Sequence, residues 1–180
     1  PCAVQLLVTP KKTIFITDTE VNLNPSSDQI SEIASLSSKV VEKFGIKHNI
    51  ALITHSNFGS HSDSMVSKMQ QAFAKIKQEN PSINVDGEMN ADLALSESSR
   101  NYIFPDGILK GEANLLVMAN QDSASVSFAL AKSLTDGLSV GPILAGLSKV
   151  AHIVNPSITV RGLVNITALA SVQASSSIKE

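Results

Sequence analysis

The stretch Asn49-Ile50-Ala51-Leu52-Ile53-Thr54 constrains the fold of this chain more than any other part of its sequence. Four apolar residues in a row leave no side for water. Such a run suits a strand covered on both faces, as in a parallel sheet between helix layers. A sheet with one wet face shows alternating apolar and polar residues instead. The flanking sequence supplies the covering helices. Upstream, Ile30, Ile33, Ala34, Leu36, Val40, Val41 and Phe44 recur at helical spacing, after an Asn24-Pro25-Ser26-Ser27-Asp28 start and before a Gly45 stop. Downstream, Met65, Val66, Met69, Phe73 and Ile76 repeat the pattern between Asp63 and Glu79.

The same alternation runs through the rest of the chain. Ala3–Val8 and Thr13–Asp18 are β-rich runs around Thr9-Pro10-Lys11-Lys12, which predicts an opening hairpin. Ile83–Asp86 reads as a strand, Gly87–Asp92 as the start of a helical stretch, and Ser96–Tyr102 as a short surface helix. Asn114–Met118 reads as a buried strand and Gln121–Leu134 as a helix capped by Asn120 or Asp122. Gly and Pro punctuate Leu138–Leu147; Val150–Val154 is predicted as the last strand, and Thr159 to about Ala174 as the last helix. This order predicts a three-layer α/β/α fold with a mostly parallel sheet and right-handed crossovers. Ligands in such folds bind beyond the carboxyl ends of the strands. Thr54–Ser62, Asp86–Asp92 and Asn155–Thr159 are the loops expected there.

Composition narrows the function classes. With 43% hydrophobic and 17% charged residues over 180 positions, one globular domain with a substantial core is the default. A net charge of −2 gives no general attraction to nucleic acid or to acidic membrane, so neither is an expected partner. No apolar run reaches the roughly 18 residues of a membrane span, and no signal peptide is visible. A single cysteine, Cys2, excludes an internal disulfide, and a cytoplasmic location is expected. Pro1-Cys2 leads straight into a strand, which suggests a piece of a longer polypeptide.

Several groups of residues are candidates for chemistry. In Asn155-Pro156-Ser157, turn residues precede a helix that Ser157 or Asn155 would cap, with Pro156 in its first turn. Free N–H groups there, together with Arg161, make a place for an anion, although an ordinary capped turn has the same appearance. The loop Thr54-His55-Ser56-Asn57-Phe58-Gly59-Ser60 offers hydroxyls and backbone N–H groups to a phosphate or carboxylate, yet contains no nucleoside-triphosphate loop motif. Ser56 with His55 or His61 lacks the elbow of a serine hydrolase. Asp86, Glu88 and Asp92 form a carboxylate cluster, better explained by capping and loop bracing than by a metal, since no His or Cys completes a transition-metal set. Lys149, Arg161 and Lys110-Gly111-Glu112 are cleft-facing candidates, whereas His48 reads as surface and His152 as core.

Taken together, Ile50–Ser60, Val85-Asp86-Gly87-Glu88-Met89-Asn90-Ala91-Asp92, Phe104-Pro105, Lys110–Asn114 and Gly141-Pro142-Ile143-Leu144 resemble the phosphate acetyl/butyryltransferase (phosphotransacetylase) family. The likeness covers nearly the whole chain and keeps the motif order. His55–Ser60, Asp18-Thr19-Glu20-Val21-Asn22 and Pro156–Arg161 are similar to one branch, the phosphotransacetylase-like C-terminal domain of bacterial NADP-dependent malic enzymes. The resemblance implies an isocitrate/isopropylmalate dehydrogenase-like fold. It also implies a division into a main lobe, 1–150, and a segment, 151–180, that returns toward a first lobe outside this sequence.

The resemblance also carries a departure. Active phosphotransacetylases place a Ser-Arg pair at the turn and an Asp in the following helix. Aligned on Val160 and Val164-Asn165, this chain has Asn155, Pro156 and Gly162 at those positions. Neither Asn nor Pro reproduces a bidentate Arg contact. The Thr-Lys of the first loop is replaced by Asn57-Phe58. Three roles follow as expectations: an acetyl-CoA-sensing regulatory domain without transfer chemistry, an active acetyl- or butyryltransferase, or an oligomerisation module using Ile166–Val172. For the first, the expected ligand-binding residues are Ser56, Asn57, Gly59, Ser60, Asn155, Ser157, Thr159, Arg161 and Asn165, with no catalytic residue and no metal. Acetyl-CoA or a related acyl-CoA is the expected effector, a homo-oligomer the expected assembly, and NADP with a divalent metal would belong to the malic enzyme portion.

Overall fold

The computed structural model describes residues 1–154, 156 and 158–177. Six strands form one sheet in the order β4-β3-β5-β2-β1-β6. The elements are β1 (Cys2–Val8), β2 (Thr13–Thr17), α1 (Ser27–Lys43), β3 (Ile50–Ile53), α2 (Ser64–Glu79), β4 (Val85–Met89), α3 (Ala91–Ala94), α4 (Glu97–Ile103), β5 (Leu115–Met118), α5 (Gln121–Leu134), β6 (Leu138–Ala145) and α6 (Val160–Ser177). β4, β3, β5 and β2 pair in parallel, while β1 is antiparallel to both β2 and β6. This is the mostly parallel α/β arrangement expected from the sequence.

Every residue of β3 is buried, and the two sides of its strand feed different cores. Ile50 and Leu52 join a cluster with Ile30, Val41, Met69 and Ile76. Ala51 and Ile53 join another with Met89, Leu93, Leu109 and Leu116. Two-sided burial is thus the physical reason for the unbroken apolar run. Local signals set the helix ends. Ser26 caps α1 in a reciprocal box with Gln29, Asp63 accepts from the N–H groups of Met65 and Val66, and Asn120 accepts from Ser123.

Three expectations need correction. The stretch Leu138–Leu147 contains a strand, β6, at the sheet edge, where Pro142 breaks no central ladder. At Gly141 (φ +129°) an added Cβ would lie 2.8 Å from Gln5 Oε1 and 3.0 Å from the Val4 carbonyl oxygen, beside a register shift in the β1–β6 pairing. Val150–Val154 is not a strand. It makes one isolated bridge, His152 to Ile143, and leaves Ile153 and Val154 exposed. The strand predicted to end at Asp86 continues to Met89, so Asp86 and Glu88 lie in β4 and not in a helical first turn. The last helix, α6, begins at Val160, beside the expected Thr159, whose Oγ1 accepts from the Gly162 N–H at 3.0 Å; the expected caps Asn155 and Ser157 lie outside the described residues. Just before it, Ile158 packs on the main core with Ile166 and Leu169.

Candidate functional site

The loop after β3 is built around a buried carboxylate. Glu88, 1% exposed, reaches from β4 so that Oε1 accepts from Ser56 Oγ at 2.9 Å and from the Gly59 N–H at 2.7 Å. The Phe58 N–H donates to the Glu88 carbonyl oxygen at 2.8 Å. Ser56 Oγ in turn accepts from the His61 N–H at 3.2 Å, and Ser60 Oγ accepts from the Asn57 N–H at 2.9 Å. Asn57 Oδ1 accepts from the Asn90 N–H at 2.7 Å. The hydroxyl and N–H groups expected to greet an external anion are therefore engaged internally, with Glu88 filling the anion's place. Asp86 performs the parallel task for another loop, its Oδ2 accepting from the N–H groups of Ile108 and Leu109 at 2.8 and 3.0 Å. Both carboxylates are loop braces. Among the described residues no group of three or more His, Cys, Asp or Glu is placed to hold a metal ion.

No nucleophile–base arrangement forms here. Ser56 is fully buried, and its Oγ donates to Glu88 rather than to a histidine ring. His55 Nε2 lies 3.0 Å from Asp63 Oδ2, while His61 Nδ1 contacts Ser60 Oγ at 3.1 Å without a carboxylate to orient it. The Asp63 carboxyl is held below its ordinary range, first by the Val66 N–H and further by the Met65 N–H and by His55. Cys2 is buried in the core, and burial pushes its thiol up to about 11, which rules it out as a thiolate nucleophile near neutrality.

A cleft of about 450 Å³ runs between α5, β6 and the start of α6. Its polar lining includes Gln5, Thr19, Glu20, Lys132, Thr159 and Arg161. Phe128, Val140, Val154 and Ile158 give it an apolar wall. Among the described residues neither Lys132 nor Arg161 has a hydrogen bond or an ion pair. Thr19 Oγ1 is buried and finds no partner among the described residues. Two unpaired cations, an unsatisfied hydroxyl and an apolar wall can accept an anionic ligand with an apolar or amide-bearing body. Gly162 also lines this cleft. A Cβ there would stand 3.0 Å from Ile158 Cγ1 and 3.2 Å from Thr159 Oγ1, so a larger residue must displace one of them.

The sequence-derived site residues thus divide. Thr159 and Arg161 line the cleft, with Thr159 Oγ1 already engaged in capping. Asn165 is half-buried on α6 and is not part of the lining. Ser56, Asn57, Gly59 and Ser60 belong to the Glu88-braced loop and do not line that cleft. Asn155 and Ser157 lie outside the described residues. Sequence reasoning missed Gln5, Thr19, Glu20 and Lys132. One signal for Gln5 was available: it is the lone polar residue inside an apolar strand.

Comparison with known proteins gives a consistent picture. The family described as "Phosphate acetyl/butaryl transferase" matches residues 2–171. An NADP-dependent malic enzyme of Haemophilus influenzae is 41% identical over 172 residues, which is 96% of this chain and 23% of that protein. A phosphate acetyltransferase of Corynebacterium glutamicum is 32% identical over 157 residues, 87% of this chain and 48% of the relative. A solved phosphotransacetylase from Streptococcus pyogenes superposes with a TM-score of 0.90 at 25% identity, over 99% of this chain and 54% of that one. The chain spans about a quarter of the malic enzyme and about half of each transferase. No helix among the described residues is long and apolar enough to cross a membrane.

Proposed function

The chain belongs to the phosphate acetyl/butyryltransferase family, and on that premise we propose that it is a sensing member that binds acetyl-CoA or a related acyl-CoA without transferring the acyl group. Its setting is an NADP-dependent malic enzyme. Oxidative decarboxylation of malate, with NADP and a divalent metal, is the work of residues outside this chain. Effector binding shifts the equilibrium between states of a homo-oligomer, as regulation through a distant site requires. The likeness to malic enzymes supports the setting. The observation that carries the reading is a contrast between the lining of the cleft and the sequence beside it. Cations and unsatisfied polar groups suited to an anion are present, while the resemblance's Ser-Arg and Asp positions hold Asn155, Pro156 and Gly162.

The test is a thiol-consumption assay on the full-length protein, supplied with acetyl phosphate and CoA. The expected result is no turnover above background. Losing an Arg that stabilises a developing oxyanion costs about 3–4 kcal/mol, or several hundredfold in rate, and further losses add to it. Turnover at the rate of an ordinary enzyme would instead establish the second reading, an active acetyl- or butyryltransferase. The 32% identity to the Corynebacterium transferase favours that alternative.

A further inference from the structure

A second pocket, of about 150 Å³, lies against α1 and the loop that follows β6. Three lysines line it: Lys39 and Lys43, one turn apart on α1, and Lys149 across from them. None has an ion pair or a hydrogen bond among the described residues, and no carboxylate lines the pocket. The nearby Glu42 is engaged with His48 at 3.0 Å. The loop is pressed onto the helix at Gly146 (φ +78°), where an added Cβ would come within 2.7 Å of Leu36 Cδ1. Beyond it, the backbone N–H groups of Leu147, Ser148 and Lys149 find no acceptor among the described residues, and the Ser148 hydroxyl is likewise unengaged. Leu36, Val40 and Leu144 form the apolar base.

Three like charges gathered at one pocket repel one another, and this repulsion is relieved when an anion sits among them. Free N–H groups on a tight bend after a left-handed residue add the directional donors that a tetrahedral oxyanion accepts. The volume is below the roughly 300 Å³ at which pockets begin to hold whole organic ligands. We propose that the pocket formed by Lys39, Lys43, Lys149 and the 147–149 backbone is a binding site for a single phosphoryl group, separate from the α6 cleft. The group is either inorganic phosphate or the phosphate monoester of a larger molecule whose remainder stays in solvent. Gln173 of α6 also borders the pocket and bonds His152 Nε2 at 2.8 Å, so an occupant would touch the helix that frames the cleft. The site does not depend on the acyl-CoA reading.

Equilibrium dialysis of radiolabelled inorganic phosphate against the full-length protein at low ionic strength tests the proposal. Saturable binding is expected. The variant K39Q/K43Q/K149Q should weaken it by at least about tenfold, at roughly two- to fivefold for each exposed charge lost. The single variant Lys149→Glu should weaken it at least as much as Lys149→Gln. The variant K132Q/R161Q, which strips the cleft, should retain the saturable component that the lysine variant loses. Competition by adenosine 3′,5′-bisphosphate at lower concentration than phosphate would identify an esterified source, and weaker competition the free ion. Absence of saturable binding by the wild type, unchanged binding by the lysine variant, or loss only in the cleft variant would each overturn the proposal.

Discussion

Removing the Glu88 carboxylate should collapse the loop after β3. Glu88→Ala removes one acceptor and strands two donors, Ser56 Oγ at 2.9 Å and the Gly59 N–H at 2.7 Å, in a place where Glu88 itself was 1% exposed. Hydrogen bonds to a charged group contribute about 1.5–3 kcal/mol each, and relief of the carboxylate's own desolvation offsets part of the loss, leaving a net cost of about 3–4 kcal/mol. Glu88→Gln keeps an oxygen able to accept from both donors and should cost about 1 kcal/mol. Urea unfolding, read from the midpoint at constant slope, measures both. Because the side chain occupies an N–H cradle as an internal anion, acetate should partly rescue the alanine variant. The gain is about 1 kcal/mol at an acetate concentration about fivefold above its Kd, with no effect on the wild type. An alanine variant within about 0.5 kcal/mol of wild type would refute the bracing argument, since that is the range of an indifferent surface change. A Gln variant as damaged as the Ala variant would refute the claim that hydrogen-bond acceptance is what matters.

Arg100 is wholly buried, its guanidinium donating to the carbonyl oxygens of Leu93 and Leu109 at 3.1 Å and of Gly111 at 2.6 Å. Arg100→Ala should lower unfolding free energy by about 3–5 kcal/mol, and Arg100→Lys should not restore it, because a point charge cannot span those carbonyls. Cys2 should resist alkylation until the protein unfolds: with its pKa at about 11, about one thiol in a thousand is ionised at pH 8 even before burial blocks access. Mass-detected labelling at the rate of global unfolding would bear this out; rapid labelling of native protein would not. The Asp63 carboxyl is depressed on folding, so its contribution to stability is complete above about pH 4 and is lost as pH falls through the lower folded-state value. Asp63→Asn should therefore flatten the acid limb of the stability–pH curve; an unchanged limb would contradict the capping account.

The sequence made β3 legible because two-sided burial leaves an unmistakable mark, and the α1 and α2 periodicities are the other half of the same packing. What stayed illegible depended on partners remote in the chain. β4 carries Asp86 and Glu88 into the interior only because Ile108, Leu109, Ser56 and Gly59 bring donors to them. Nothing local in Gly87-Glu88-Met89 announces that. β6 holds a proline that reads as a breaker until its edge position is known. Val150–Val154 has the composition of a strand but, among the described residues, pairs through one bridge alone. The cleft was half visible. Arg161 and Thr159 stood out beside the turn, whereas Gln5, Thr19 and Lys132 come from β1, the segment after β2 and the last turn of α5, and only folding gathers them. In the first loop the donors were legible but their partner was not: Ser56 Oγ and the Gly59 N–H turn onto Glu88, 32 and 29 residues away in sequence.

A sensing role requires that an acyl-CoA bind in the α6 cleft. Calorimetric titration of acetyl-CoA into the full-length protein, beside its K132Q/R161Q variant, tests it most directly. Wild-type binding should be saturable, and at least about tenfold weaker in the variant through loss of two charge-assisted contacts. Absence of binding by the wild type, or equal affinity in both proteins, would contradict it.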